Sequence, residues 1–154
     1  MTGVQHQKWW GWGVEGVAFN PDDKPAFAPF VWDKVGLDLS QPPTTVPKFE
    51  DLDVPASTLP QALGETLREI VGDHHLNTTD MDRVVHTYGK GLRDLVLIRA
   101  GQFPRLPDAV VYPANEEEVQ GLVDAAVAAD AVLIPFGGGS NISGSLTPPA
   151  QESR

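Results

Sequence analysis

The chain has 154 residues, the usual size of one domain, and 11 Lys and Arg against 21 Asp and Glu give a formal charge of −10. It contains no cysteine, which excludes a disulfide framework, a thiolate zinc site and a cysteine nucleophile. The acidic balance argues against nucleic-acid binding, and no apolar run approaches the roughly 20 residues that cross a bilayer. We therefore expect a cytoplasmic globular protein that binds no nucleic acid.

The N-terminal region, residues 1–56, is rich in tryptophan and proline. All four Trp residues lie within the first 32 positions, and eight of the 14 prolines lie between 21 and 60. Each proline removes a backbone donor and restricts the residue before it. The sequence therefore predicts an irregular, extended arm over 21–56, with a flexible tail as the alternative. We expect the arm to pack on a larger body through its large apolar side chains, Phe19, Phe27, Phe30, Val31 and Trp32.

A helical lead-in is predicted over residues 57–100. Thr58 and Gln61 fit a capping box, and apolar residues at helical spacing follow it up to a stop at Gly72. A second short helix is predicted from Thr79 to about Val85, broken by the sequence at 86–89. The run at 92–99 is too short for its periodicity to decide between helix and strand.

The clearest unit is a strand, a helix and a second strand over residues 108–136. Residues 108–113 form a short apolar run that ends at a proline, and residues 131–136 form another. Between them Asn115 precedes Glu118 by three positions, the pattern of a helix N-cap. An apolar stripe follows at helical spacing, Val119, Leu122, Val123, Ala126 and Val127. The pattern predicts a βαβ unit.

A glycine-rich loop, residues 137–145, follows the second predicted strand directly. Ligands of open α/β sheets lie beyond the carboxyl ends of strands. Successive glycines let the backbone approach a ligand closely, and their N–H groups can converge on an anion. Hydroxyls of Ser140 and Ser143 and the amide of Asn141 could add donors. A phosphate or pyrophosphate is the expected guest, with a flexible turn as the alternative.

Two familiar phosphate-binding loops do not fit this segment. The Rossmann fingerprint would need glycine where the chain has Ile142. The P-loop spacing is met by Gly139 and Gly144, but Ser145 and Leu146 follow where that motif has Lys and Ser or Thr. A third kind of loop is needed, one that holds pyrophosphate by backbone N–H groups without a following helix.

Two stretches carry a resemblance to a known family. Residues 99–113, with Arg105-Leu-Pro-Asp-Ala-Val-Val-Tyr-Pro113, and residues 134–140 resemble the start of the flavin domain of the vanillyl-alcohol oxidase family. The Trp10-Gly-Trp-Gly13 opening is similar to one subfamily, the alkylglycerone-phosphate (alkyl-dihydroxyacetone-phosphate) synthases. The resemblance implies an α+β fold: the N-terminal part of a PCMH-type FAD-binding domain at 101–154, behind the arm and the lead-in.

The resemblance also implies the cofactor and its site. Seven residues align with the loop that wraps the FAD pyrophosphate, Pro135, Phe136, Gly137, Gly138, Gly139, Ser140 and Asn141. Some members attach the flavin through a histidine in this loop, and that position falls on Gly139, so non-covalent FAD is expected. Family members continue well beyond the loop and carry their catalytic residues there. We therefore expect an incomplete chain without catalytic residues and with little activity of its own.

Three functions stay open from the sequence. The resemblance implies part of an enzyme of ether-lipid synthesis, which exchanges the acyl chain of acyl-dihydroxyacetone phosphate for a fatty alcohol through a flavin adduct. The alternatives are part of an FAD-dependent 2-hydroxy-acid or alcohol oxidoreductase, and a truncated, non-catalytic fragment. The Trp-rich opening could contact a membrane surface, although packing against the enzyme body is the simpler interpretation. His74 and His75 lack a third ligand at a fixed spacing, and no metal site is expected.

Overall fold

The computed structural model describes residues 7–17, 20–41, 47–103 and 105–153. Phe19 of the arm and Pro104 of the resembling stretch lie outside these residues. The described residues form five α-helices, two two-residue strands and two 3₁₀ turns: α1 Phe27–Val35, the turn Phe49–Asp51, α2 Gln61–Val71, the turn Asp73–His75, β1 Leu76–Asn77, α3 Asp80–Val85, α4 Leu92–Arg99, β2 Val110–Val111 and α5 Glu116–Ala128.

The arm contains a helix where the sequence predicted an extended, irregular segment. It contains the nine-residue helix α1, although Pro29 lies inside it. Proline is tolerated there because a helix leaves its first N–H groups without intrahelical partners. Packing of the arm on a larger body stays a prediction: within this chain α1 has no buried residue, and Phe30 and Trp32 are 58% and 62% exposed. Helix α1 therefore contributes little to the apolar core of this chain.

Helix α2 has the predicted span but not the predicted cap. It ends at Val71, before Gly72 at φ +81°. At its start no side chain caps the helix. Thr58 instead donates two hydrogen bonds to Asp108 Oδ1, one from its N–H and one from its hydroxyl, at 2.8 Å each, and Gln61 donates to Glu65. The capping box was wrong because a carboxylate 50 positions away offers Thr58 a stronger partner.

The predicted helix α3 is confirmed, and α4 settles an open choice. Thr79 Oγ1 accepts a hydrogen bond from the Asp82 N–H and caps α3, which ends before His86. Residues 92–99 are helical, with the Asp94 carboxylate accepting from the Gly91 N–H at 3.2 Å. Helix α5 begins as predicted, because Asn115 Oδ1 accepts from the Glu118 N–H at 2.8 Å.

The sheet is smaller than the predicted βαβ unit. β2 pairs antiparallel with β1, with Leu76 opposite Val111 and Asn77 opposite Val110. The second predicted strand, 131–136, has no regular secondary structure, and Val132 and Leu133 are 40% and 46% exposed. A strand needs a neighbour for its ladder of hydrogen bonds, and among the described residues none pairs with this segment. The α+β class is confirmed; this strand is not.

Two apolar clusters hold the fold together. The first gathers Trp9 with residues of α3, α4 and the segments around them, namely Val84, Val85, Tyr88, Ile98 and Leu106. The second joins α2 to α5 through Leu67, Val71 and Leu122. The predicted stripe of α5 is only partly buried: Leu122 and Ala126 are covered, whereas Val119, Val123 and Val127 are exposed. In the part of the chain that the structure describes, no helix is long and apolar enough to span a membrane.

Candidate functional site

The glycine-rich loop forms a shallow, open depression of about 380 Å³. Six of the seven residues that the sequence assigned to the pyrophosphate line it, together with Ser145 and Leu146; the six are Pro135, Gly137, Gly138, Gly139, Ser140 and Asn141. A Cβ added to Gly137 or Gly138 would meet nothing within 4 Å. The backbone is therefore bare on this side, as the close approach of an anion requires.

The loop presents backbone donors that the chain itself does not use. Within the described residues, the N–H groups of 137–140 donate to no acceptor, and the Ser140 hydroxyl has no partner either. Unpaired N–H groups in a turn are the usual donors for phosphate oxygens. Because FAD carries a pyrophosphate and these donors need no charge of their own, the residues present fit that group.

The side chains of Asn141 and Ser143 make hydrogen bonds within the loop. The Asn141 side chain accepts from the N–H groups of Ser143 and Ser145, both at 3.2 Å, and its amide donates to their hydroxyls at 3.2 and 2.8 Å. These bonds close a turn after the glycines, so the amide and the Ser143 hydroxyl are already occupied. The side chain of Asn141 therefore shapes the loop.

Phe136 supports the loop from below and is absent from the depression. Its ring packs against the His86 ring, with centroids 4.4 Å apart. Gly139 folds back over it at φ +65°, and a Cβ there would lie 2.6 Å from Phe136 Cζ. Any side chain at position 139 would need both a strained backbone and a displaced ring. Glycine at this position is a requirement of the loop's shape.

The stretch that carries the family resemblance joins the lead-in to this region. Asp108 receives a hydrogen bond from Arg105 at 2.6 Å and two from Thr58, and its own carbonyl accepts from Ser57 at 2.7 Å. Burial works to raise the pKa of Asp108, but the hydrogen bonds from Arg105 and Thr58 outweigh it and hold the pKa below its usual value. This motif therefore fixes structure and does not line the depression.

Sequence reasoning missed three residues that contact the loop from outside it. Gln7 Nε2 donates to the Gly138 carbonyl at 2.8 Å, and the Lys90 N–H donates to the Asn141 carbonyl at 2.6 Å. Gly89 lies so close that a Cβ there would be 2.1 Å from the Asn141 oxygen. A glycine after a helix is too common a signal to reveal this contact in advance.

The two adjacent histidines lie in the 3₁₀ turn Asp73–His75, where His75 Nδ1 is 3.0 Å from the Val71 carbonyl oxygen. Among the described residues, no group of three or more His, Cys, Asp or Glu side chains lies close enough together to hold a metal ion.

Comparisons with known proteins point to a flavin protein. A family model described as an FAD binding domain matches residues 107–152. Alkyldihydroxyacetonephosphate synthase of Dictyostelium discoideum is 41% identical over 60% of this chain and 16% of its own length. The synthase of Trypanosoma brucei brucei is 30% identical over 96% of this chain and 27% of its own length. A solved structure of an alkyldihydroxyacetonephosphate synthase superposes with a TM-score of 0.80 at 30% identity, covering 95% of this chain and 31% of that one. The chain thus spans less than a third of the length of each.

Proposed function

We propose that this chain, an alkyldihydroxyacetonephosphate synthase-like FAD-binding protein, holds the FAD pyrophosphate on the backbone of residues 135–141. The observation that carries the proposal is the row of N–H groups at 137–140 without an acceptor among the described residues, on residues that line an open depression inside the segment that matches the FAD binding domain. Ser140 supplies a hydroxyl beside them. No side-chain cation is needed, because several N–H dipoles can share the two negative charges.

The flavin is held without a covalent bond. Residues 135–141 contain no histidine, and the tight contact of Gly139 with Phe136 leaves no room for one at that position. When bound, FAD supplies the isoalloxazine ring on which the reaction takes place. The loop binds and orients only the diphosphate end, so it sets where the cofactor lies and leaves the chemistry to other residues.

The reaction that this binding serves is the synthase reaction. The relatives that match the chain over 94–96% of its length carry that name, and the resemblance implies exchange of the acyl chain of acyl-dihydroxyacetone phosphate for a fatty alcohol. A cytoplasmic location, with the Trp-rich opening packed on the enzyme body, is part of this proposal. Trp9 supports the packing of this segment: the residue is 6% exposed, and its ring packs against Phe49 at a centroid distance of 5.9 Å.

FAD titration followed by amide NMR tests the site. The amides of 137–140 are expected to shift with FAD and with ADP, which shares the diphosphate. Gly139→Ala should abolish these shifts, whereas Gly11→Ala should retain them, since a Cβ at Gly11 meets Arg99 at an ordinary 3.6 Å. Shifts confined to residues outside the loop would contradict the proposed site.

A chimaera tests the reaction. The chain would replace the aligned 27% of the Trypanosoma brucei brucei synthase, and the unaltered synthase would serve as the control. We expect the chimaera to bind FAD and to exchange acyl for alkyl chains. A chimaera that binds FAD but turns over lactate or glycolate instead would support the oxidoreductase alternative and overturn the synthase proposal.

A further inference from the structure

We infer that Gln7 and the segment Gly89-Lys90-Gly91 are positioning residues that turn the amides of the glycine-rich loop toward the cofactor. Their role toward FAD rests on the proposed function, but their effect on the loop itself does not. Neither lies in the segment that matches the FAD binding domain, which begins at residue 107. These residues make two contacts with the loop, one from the Lys90 N–H to the Asn141 carbonyl and one from Gln7 Nε2 to the Gly138 carbonyl. We call the two contacts together the loop brace.

The first contact of the loop brace is made by backbone. The Lys90 N–H donates to the Asn141 carbonyl at 2.6 Å, although 51 positions separate the two residues. Gly89 and Gly91 flank this bond and lie close to the backbone of Asn141 and Ile142. A Cβ at Gly89 would lie 2.1 Å from the Asn141 oxygen, and one at Gly91 would lie 3.1 Å from the Ile142 oxygen. The two backbone segments can approach this closely because both residues that flank Lys90 are glycines.

The second contact is made by a side chain. Gln7 Nε2 donates to the Gly138 carbonyl at 2.8 Å. Gln7 is held by the hairpin at the start of the chain, where it bridges to Val14. The buried ammonium of Lys90 donates to the carbonyl of the neighbouring Lys8 at 3.2 Å. Lys90 thus ties the two contacts together, one through its N–H and the other through its side chain.

Both contacts hold carbonyl groups, and this fixes the direction of the amides. In a trans peptide the C=O of one residue and the N–H of the next point in opposite directions, and the described peptide bonds are all trans. Since the Gly138 carbonyl points toward Gln7, the Gly139 N–H points away from it. The Ile142 N–H likewise points away from Lys90. The loop brace therefore fixes the orientation of two unused N–H groups, and one of them, that of Gly139, belongs to a residue that lines the depression.

Preorganisation of this kind improves binding without touching the ligand. A glycine loop without anchors would sample many conformations, and its ordering would oppose FAD binding. With two carbonyls anchored, part of that entropy is lost during folding. The positive φ of Gly139 then lies between two fixed points, which keeps the loop in one shape.

Gly89→Ala and Gln7→Ala test the loop brace, with matched controls. The alanine methyl at 89 would collide with the Asn141 oxygen, while Gly11→Ala adds the same methyl in ordinary contact. Gln7→Ala removes a donor, while Gln120→Ala removes an exposed amide that bonds only to Asp124 on its own helix. Tryptophan fluorescence and near-UV circular dichroism establish that each variant is folded. If Gly89→Ala does not fold, Gln7→Ala carries the test.

The first measurement uses the protein without FAD. We expect Gly89→Ala to shift the amide resonances of 139–142 and to speed hydrogen exchange at the Lys90 amide, and Gln7→Ala to shift those of 138–140. Both controls should leave these signals in place. Loop resonances of Gly89→Ala and Gln7→Ala that superimpose on those of the wild type would overturn the loop brace, whatever FAD does.

The second measurement is the FAD dissociation constant from the same spectra. Loss of one anchoring hydrogen bond should weaken binding by up to about tenfold in Gln7→Ala, and Gly89→Ala should weaken it at least as much. A wild-type loop that does not respond to FAD would overturn the proposed function. A responsive wild-type loop with undiminished affinity in both variants would overturn the loop brace alone.

Discussion

Arg83 offers the sharpest test of how this chain is held together. Its side chain is 1% exposed, although it carries a full charge. The guanidinium donates to the carbonyls of Pro107 and Pro55 at 2.8 and 2.7 Å, and it contacts the Asp80 carboxylate at 3.3 Å. One side chain thus joins α3 to the end of the arm and to the family motif. Arg83→Met keeps much of the volume and removes all of these bonds.

The magnitude follows from the partners. Each hydrogen bond from a charged donor contributes about 1.5–3 kcal/mol, and a stranded buried acceptor costs about 1–3 kcal/mol. The Asp80 side chain is 56% exposed, so its ion pair adds little. Met recovers part of the loss, because an uncharged side chain is cheaper to bury. We expect Arg83→Met to lower the free energy of unfolding by about 3 kcal/mol, a large share of the usual 5–15 kcal/mol.

Urea unfolding followed by tryptophan fluorescence measures this change. With a slope of about 2 kcal/mol per molar urea, the midpoint should fall by roughly 1.5 M. The matched control is Arg93→Met on α4, because the Arg93 side chain is exposed, and it should shift the midpoint by less than about 0.5 M. If both variants lose the same small amount of stability, the Arg83 hydrogen bonds to Pro107 and Pro55 do not hold these segments together.

Three further predictions concern pH and packing. Burial raises the pKa of Tyr88 to about 12, and burial and Asp82 also raise the pKa of Tyr112. The contribution of the two tyrosines to the free energy of unfolding should therefore be constant below pH 10 and fall above it. Tyrosinate absorbance near pH 10 in the folded protein would contradict this. Because the pKa of Asp108 is lowered on folding, its carboxylate stabilises the fold above its ordinary pKa of 3.8, and this stabilisation is lost as pH falls. The difference in free energy of unfolding between wild type and Asp108→Asn should therefore narrow on acidification. A difference that does not change with pH in urea titrations would refute this prediction. Leu122→Ala should cost about 2–4 kcal/mol in the α2–α5 cluster, and the exposed Val123→Ala under about 1 kcal/mol by the same assay.

The sequence by itself determined the elements whose signals lie within one helical turn. The Asn115 and Glu118 pair fixed the start of α5, and Thr79 fixed the start of α3, because a cap and the N–H that it satisfies are three residues apart. The position of the glycine-rich loop and its exposed backbone were also evident, since glycine needs no partner to leave room for a ligand.

The tertiary structure decided what depends on residues far apart in the chain. Thr58 caps no helix because Asp108 is beside it in space, and 131–136 forms no strand because no described strand lies alongside it. The anchors of the loop are the clearest case: Gln7 reaches Gly138 across 131 positions. Hydrogen bonds of this kind form only after the cores have brought distant segments together, so local patterns carry no trace of them.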